Sequence, residues 1–345
     1  MEMHPISVII SNFNGAKYLP RLLSTLHKQE GVELEIIVVD RYSSDDSDAI
    51  LAANQGVKVI KHPPETGLVD GYARGMEVSA HDLLFFMNED MWLEPHCLSK
   101  CADFLLSRPR VAAVMPVQWT YDGVGIVNAG IWFEKCFWNR RSPTLRVRSR
   151  WHLVQEPARV SYANAGACLV RRSANREVGG WDRSFFLDDE DTDLSIRFWQ
   201  RGWESWVVPD AIIGHAVGAS NQKELKATQK PVSRKRYVSA QSNFLVLGLK
   251  TFAPGAFIYL ALALMDRVAR NLVRCRFQLL GLDLEAIWLT LKRLPAVFEF
   301  REANRHWNQK HPGELFFKEP AFQAQAIAGN VSAQMDVRDL ARVCE

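Results

Sequence analysis

Five carboxylates crowd into DDEDTDLSIRFWQRGW, the run from Asp188 to Trp203, just ahead of a helix-like series of apolar residues and arginines. Acids are stabilised by the partial positive charge at a helix N-terminus, but capping uses one or two of them, not five. Carboxylates this close raise one another's pKa, which suits one to accept a proton while others face a cation or a hydroxyl. Asp191 is the candidate proton acceptor, with a purely structural acidic cap as the competing reading.

Such a cluster needs a scaffold, and the amino-terminal half reads as one. ISVIISNFNG (Ile6 to Gly15) is a buried strand running into a polar turn, followed by a helix pattern through Leu19, Leu22, Leu23 and Leu26. LEIIVVD (Leu34 to Asp40) is a near-continuous β-branched run, expected where both faces of a parallel sheet are covered. VKVIKH (Val57 to His62) is a short strand, GLVDGYARGMEVS (Gly67 to Ser79) a loop and helix, and DLLFFMNED (Asp82 to Asp90) another buried strand. Alternating strands and helices predict an α/β domain with a mainly parallel sheet. Ligands bind at the carboxyl ends of such strands, which places Asn12, Asn14 and Asp40 where a nucleobase or ribose would lie. Each of them singly is also an ordinary turn residue. Asn88, Glu89 and Asp90 form a carboxylate-bearing turn suited to a divalent cation bridging two phosphates.

In order and spacing, these blocks resemble family 2 glycosyltransferases of the GT-A fold, notably the bacterial rhamnosyltransferase-like branch. The resemblance rests on ISVIISNFNG, LEIIVVDRYSSDDS, the Gly67 to Gly75 loop, LLFFMNEDMWLEP, NAGACLVRRSANREVGGWDRSFFLDDEDTDLSIRFWQRGW and VPDAIIGHAVGAS, over about residues 5 to 250. It implies a Rossmann-like GT-A sheet flanked by helices, with a C-terminal helical extension. It also implies that Ser11, Asn12, Asn14 and Asp40 contact the nucleoside of a nucleoside-diphosphate sugar. Asp90 matches the last acid of the metal-binding DxD-type motif, and Asn88, counted with the donor contacts, its first position. Glu190 and Asp191 match the ED pair whose aspartate deprotonates the acceptor hydroxyl in inverting enzymes. His215 matches a histidine that helps hold Mn²⁺ or Mg²⁺ in several relatives; the alternative is a histidine hydrogen-bonded in a loop.

Other positions carry two readings each. GGWD (Gly179 to Asp182) shapes the acceptor pocket, with Trp181 covering a sugar face beside Asp182, or else Trp181 is core packing. Arg74 pairs with pyrophosphate or is an exposed helix arginine. The glycine-rich loop carries Tyr72, Ala73 and Arg74 where relatives commonly have asparagines, and Asp40 is followed by Arg41 and Tyr42 rather than small or amide residues.

A chain of 345 residues, 48% hydrophobic, holds a large core in one catalytic domain plus an appendage. The expected organisation is a catalytic domain over 1–222, with a nucleotide-sugar half to about 118 and an acceptor half beyond it, then a basic, apolar helical region over 223–345. Bases outnumber acids from Lys223 to Lys310, with a dense patch at Lys230 to Arg236. Between the basic groups, Phe244 to Met265 is apolar, yet Lys250 and Pro254-Gly255 leave its uninterrupted part too short to span a membrane. It reads as helices lying on an anionic membrane, or as a helical subdomain packed on the catalytic domain or a second subunit in a homodimer. No nucleic-acid reader motif accompanies the basic patch. The stretch Ile131 to Trp151 is either a grip for a diphosphate-lipid carrier or a solvated excursion. Six cysteines without metal-ligand spacing, and no signal peptide before Ile6, favour a reducing cytoplasm, on the inner face of the cytoplasmic membrane.

The expected activity is therefore metal-dependent inverting transfer of a sugar from a dTDP- or UDP-linked donor to a glycan or lipid-linked saccharide in polysaccharide synthesis such as O-antigen. The competing classes are a nucleotidyltransferase making a sugar nucleotide and a catalytically silent sugar-nucleotide-binding protein.

Overall fold

The computed structural model describes residues 3–63, 67–130, 132–133, 145–146, 156–216, 234–251 and 256–305. The expected grip at Ile131 to Trp151, most of the basic patch before Arg234 and the segment after Pro320 fall largely or wholly outside these residues. So does the expected boundary at 222.

β1 (His4–Asn12), β2 (Val32–Asp40), β3 (Val57–Lys61) and β4 (Leu83–Asn88) run parallel in the spatial order β3-β2-β1-β4. Alternate side chains of a strand point to opposite faces, and both faces here are apolar. Val8, Ile10, Phe85 and Met87 pack on one side with α1 (Leu19–Leu26), α2 (Ser47–Ala52) and α4 (Cys97–Leu106). Ile9, Leu84 and Phe86 pack on the other with α3 (Leu68–Val78) and α6 (Glu190–Gln200). Full burial of each such side chain is worth roughly 1.5–3 kcal/mol, which explains the near-continuous hydrophobic runs. The α1 leucines all face the core, as their three- and four-residue spacing dictates.

The sheet continues antiparallel from β4 to β11 (Ala167–Arg171) and on to β6 (Val111–Thr120). β12 (Glu204–His215) lies parallel to β6 and is flanked by β10 (Ala158–Val160). The short strands β5 (Met91–Leu93) and β7 (Ile126–Asn128) add to β12 and β6. β8 (Trp132–Phe133) pairs with β9 (Leu145–Arg146) in a separate ladder, and α5 (Arg172–Glu177) follows β11. The expected division near residue 118 falls inside β6, so the two halves share one sheet.

Register assembles one edge of this sheet. Asn12 pairs with Asp40, Ser11 with Asn88 and Asp40 with Lys61, so these residues align across the parallel strands. β11 runs the other way, so its start, not its end, meets this edge: Ala167 pairs with Met87, and Asn88 N–H donates to the Gly166 carbonyl at 3.0 Å. An added Cβ at Gly166 would sit 2.7 Å from Asn164 Oδ1, so any larger residue there must displace that oxygen. His215 pairs with Met91 of β5, and Ala216 N–H bonds the Asp90 carbonyl at 3.0 Å, which brings the end of β12 against the turn after β4.

Three helices follow: α7 (Arg234–Thr251), α8 (Ala256–Val273) and α9 (Phe277–Ala303). Among the described residues no helix is long and apolar enough to cross a membrane. Val246 of α7 and Val297 of α9 join the core cluster on the α3/α6 side.

Candidate active site

The ends of β1 and β2 form a closed polar knot. Asp40 Oδ1 accepts from Asn12 Nδ2 at 2.6 Å and Ser43 Oγ at 2.5 Å; its Oδ2 accepts from Ser43 N–H at 3.1 Å and Lys61 Nζ at 2.8 Å. Burial pushes the Asp40 carboxyl up, yet the donors from Lys61, Ser43 and Asn12 outweigh it and hold it below the usual carboxylate value. Four bonds use a carboxylate's acceptor capacity, so Asp40, expected to face a ribose, fixes Asn12 and Ser43 instead. Ser11 Oγ and Asn12 Oδ1 are buried without a hydrogen-bond partner. Asn14, left-handed at φ 54°, receives Ser44 N–H on Oδ1 at 2.8 Å and so shapes the same loop.

At the end of β4, Asp90 Oδ1 lies 3.3 Å from His215 Nε2 and yet is buried without a hydrogen-bond partner. The two atoms lie within ion-pair distance but make no hydrogen bond to each other. His215 Nδ1 lies 3.3 Å from Gln118 Oε1. Among the described residues no group of three or more His, Cys, Asp or Glu is placed to hold a metal ion. A pair of one oxygen and one nitrogen ligand fits Mn²⁺ or Mg²⁺ only where diphosphate oxygens and water complete the shell, the usual arrangement for such ions. Asn88 Oδ1 lies 3.0 Å from the Tyr72 hydroxyl, which also reaches the Ala165 carbonyl at 2.9 Å. Glu89 is lifted to about 8 by burial and then by the Asp90 charge, partly offset by Arg41.

The acid cluster stands across the edge. Asp191 Oδ2 accepts from Ala165 N–H at 3.2 Å and Asn164 Nδ2 at 3.3 Å, and its Oδ1 accepts from Thr192 N–H at 2.7 Å. Burial raises Asp191 to about 6; the backbone donors of Ala165 and Thr192 pull against it, and Asp188 adds to it. Burial and then the Asp191 charge push Glu190 well up, and Glu190 Oε2 is buried without a hydrogen-bond partner. Asp189 rises to about 7, chiefly by burial, then by Asp191 and Asp188.

The loop entering α6 is held from the C-terminal helices. Asp188 and Asp189 are both left-handed, with φ 70° and 66°, a conformation costing non-glycine residues roughly 1–2 kcal/mol each. Arg236 pairs with Asp188 at 3.2 Å, and Asn243 Nδ2 donates to the carbonyls of Leu187 and Asp188 at 2.9 and 2.8 Å. Lys250 Nζ reaches Asp182 Oδ2 at 2.7 Å and Asp193 Oδ1 at 2.6 Å, and Asp193 Oδ2 also receives Arg197 Nε at 2.9 Å.

Three expected contacts are corrected by this packing. Trp181 is 5% exposed and lies against Tyr72 and Phe86, with ring centroids 5.5 and 5.0 Å away, so its face is core and not open to a sugar. Asp182 is paired with Lys250 and serves the loop. Arg74 projects from the outer face of α3 and pairs with Glu77 at 2.9 Å, an exposed helix arginine. Sequence reasoning passed over Tyr72 as a ligand of Asn88, and over Gln118, Asn164 and Lys250. The signal for Gln118 was a polar residue inside the apolar run VAAVMPVQWT, where a buried amide demands partners.

A mixed sheet that gathers an acid pair, a carboxylate turn and a histidine toward one edge is the arrangement of a GT-A glycosyltransferase fold. Two solved structures share that fold. GalNAc-T7 with UDP, GalNAc and Mn²⁺ superposes with a TM-score of 0.53 at 18% identity, over 72% of this chain and 48% of that one. Staphylococcus aureus TarS 1–349 in complex with UDP-GlcNAc gives 0.50 at 17% identity, over 72% and 67%.

The sequence profile of Glycosyl transferase family 2 matches residues 7–179, and this chain belongs to that family. An uncharacterised protein of Mycobacterium tuberculosis is 38% identical over 236 residues, 66% of this chain and 72% of that protein. The N-acetylglucosaminyl-diphospho-decaprenol L-rhamnosyltransferase of the same organism is 25% identical over 254 residues, 65% of this chain and 81% of that protein.

Proposed function

We propose that the chain transfers a sugar from a nucleoside-diphosphate donor to an acceptor hydroxyl with inversion, and that Asp191 is the general base. The observation that carries this reading is the Asp191 carboxylate, held at the sheet edge by backbone donors and raised to about 6. Such a base is mostly ionised at neutral pH yet accepts a proton more readily than an ordinary aspartate. It takes the acceptor proton as the new bond forms at the anomeric carbon, while burial and the Asp191 charge push the neighbouring Glu190 carboxyl up.

Ser11 Oγ and Asn12 Oδ1 offer free hydrogen-bonding capacity to the nucleoside. Asp90 and His215 would hold Mn²⁺ or Mg²⁺, which supplies charge neutralisation for the departing diphosphate. A dTDP- or UDP-linked hexose is the donor class, with rhamnose favoured by the rhamnosyltransferase relative, whose name also motivates a lipid-linked saccharide acceptor. The nucleotidyltransferase and silent-binding readings are less favoured, because neither uses a raised, hydrogen-bonded aspartate facing the donor edge.

The chain also works at an anionic membrane surface under this reading. Phe277, Leu284, Trp288, Leu291 and Phe298 are exposed along one stripe of α9, and exposed Arg274, Arg276 and Lys292 lie beside it. Apolar stripes edged by cations suit an interfacial helix.

The test is product formation. Purified chain is incubated with dTDP-rhamnose and a set of UDP-sugars, a polyprenyl-diphosphate saccharide, and Mn²⁺ or chelator. Metal-dependent release of nucleoside diphosphate with a β-configured product from an α donor, or the converse, supports the reading. Retention of configuration, or release of inorganic pyrophosphate from a nucleoside triphosphate, overturns it.

A further inference from the structure

The two sides of the site are joined by a line of side-chain hydrogen bonds. His215 Nδ1 lies 3.3 Å from Gln118 Oε1; Gln118 Nε2 donates to Asn164 Oδ1 at 3.2 Å; Asn164 Nδ2 donates to Asp191 Oδ2 at 3.3 Å. Amide and imidazole orientations can each be reversed singly, but the ends of this line forbid it. Gly166 N–H donates to Asn164 Oδ1 at 3.0 Å, and a backbone N–H only donates. That fixes Asn164 with its oxygen toward Gly166 and Gln118 and its NH₂ toward the Asp191 carboxylate, which only accepts when ionised. Gln118 must then present its NH₂ to Asn164 and its oxygen to His215, so His215 must carry its proton on Nδ1. In the neutral ring Nε2 then holds the lone pair, and that atom lies 3.3 Å from Asp90 Oδ1.

We propose that Gln118 and Asn164 form a positioning bridge that sets the His215 tautomer and the orientation of Asp191 together. The proposal rests on the reading of Asp90 and His215 as metal ligands and of Asp191 as base. Metal-binding histidines characteristically donate their other ring N–H to an oxygen, and loss of such a supporting partner weakens metal binding by roughly 10- to 100-fold. Gln118 is 2% exposed, so no solvent takes its place. Gly166, Asn164 and Ala165 serve the same end, since the tight turn at Gly166 also delivers the Ala165 N–H to Asp191. All donors along the line point toward Asp191, so each bond polarises the next in one direction. Both amides are positioning residues that act through their neighbours.

Two substitutions separate the ends. Gln118→Met removes both functions at similar length. Gln118→Glu keeps an acceptor for His215 Nδ1 but loses the donor to Asn164. Mn²⁺ affinity is read by electron paramagnetic resonance titration without sugar transfer, and folding by thermal melts. The expected result is a fall in Mn²⁺ affinity of about tenfold or more in Gln118→Met. Gln118→Glu retains wild-type affinity, while the acidic limb of its pH–rate profile moves to higher pH because Asp191 has lost an oriented donor. Wild-type affinity in a folded Gln118→Met, or an unmoved acidic limb in Gln118→Glu, overturns the bridge. A wild-type chain that takes no Mn²⁺ overturns the metal reading alone. The bridge is then decided, as it is if the Met variant does not fold, by imidazole ¹⁵N shifts of His215 in the metal-free wild type. A proton on Nδ1 supports it and a proton on Nε2 overturns it.

Discussion

Lys250 lies 2.6 Å from Asp193 Oδ1, and this buried pair joins a helix beyond the sheet to the helix that carries the acid cluster. Asp193 is fully buried and Lys250 nearly so. Asp182, pulled up by burial but held far below the usual carboxylate range by the adjacent Lys250 charge and its hydrogen bond, is the second partner.

Removing the cation leaves two acids without it, one of them deep in the protein. Breaking a buried pair from one side costs about 3–5 kcal/mol. Lys250→Met is therefore expected to lower the stability by that amount in urea titrations, with Arg197 still paired to Asp193. A loss below about 1 kcal/mol, the value of a surface pair, would count against the network.

Asp191→Asn is expected to lower kcat by roughly a hundred- to ten-thousandfold, the usual contribution of a general base. Nucleoside-diphosphate affinity, measured by calorimetry, should stay near the wild-type value, because Asp191 bonds Asn164, Ala165 and Thr192 and not Ser11 or Asn12. Near-normal turnover in this variant removes the assignment.

The pH dependence has two parts of opposite use. Transfer should fall as the pH drops through about 6, where Asp191 takes up its proton. Stability should move the other way. Asp191 at about 6 and Asp189 at about 7 bind protons more tightly folded than unfolded, mainly because burial disfavours their charge. Their contribution is present in full below the ordinary carboxylate pKa and is lost as the pH climbs through the raised values. The denaturation midpoint of the metal-free chain should thus fall from pH 5 to pH 8, and Asp189→Asn should flatten that slope.

Asp90→Asn and His215→Ala should each weaken Mn²⁺ binding by at least the roughly 10- to 100-fold that loss of a supporting residue costs. A thermal-shift titration with Mn²⁺ and nucleoside diphosphate reads this directly. Unchanged shifts in both variants would move the metal elsewhere.

Phe277→Glu with Trp288→Glu is expected to abolish co-sedimentation with phosphatidylglycerol vesicles while leaving transfer to a water-soluble acceptor intact. Equal sedimentation of variant and parent, or no sedimentation of the parent, defeats the membrane reading. Light scattering on the same samples shows whether the stripe instead pairs two copies of the chain.

The strands and first helix were legible because burial on both sheet faces demands β-branched runs, as in LEIIVVD, and a core-facing helix demands the Leu19 to Leu26 spacing. The acids were legible because Asp90 and Asp191 stand at ends of elements. Orientation was not. Asp40 turns its oxygens to Ser43 and Lys61, and Trp181 meets Tyr72 and Phe86, neighbours that only the folded register supplies. Gln118 and Asn164 are single polar residues whose partners lie far along the chain. The role of α7 was hidden for the same reason, since Lys250 looked like an interruption of an apolar run and proves to be a buried charge with two acids waiting for it.

His215 closes the last strand of the sheet in chain order, whereas Asp90 leaves a strand formed from its first third. The pair therefore comes into being only when β12 has docked between β6 and β10, a step that joins segments distant in sequence and is slow for that reason. A partly folded chain lacking β12 holds no such pair and has nothing there to capture an ion. Once formed, a cation shared by Asp90 and His215 would tie the earliest strands to the latest, so its binding energy would resist unfolding of the whole sheet and not merely of one turn.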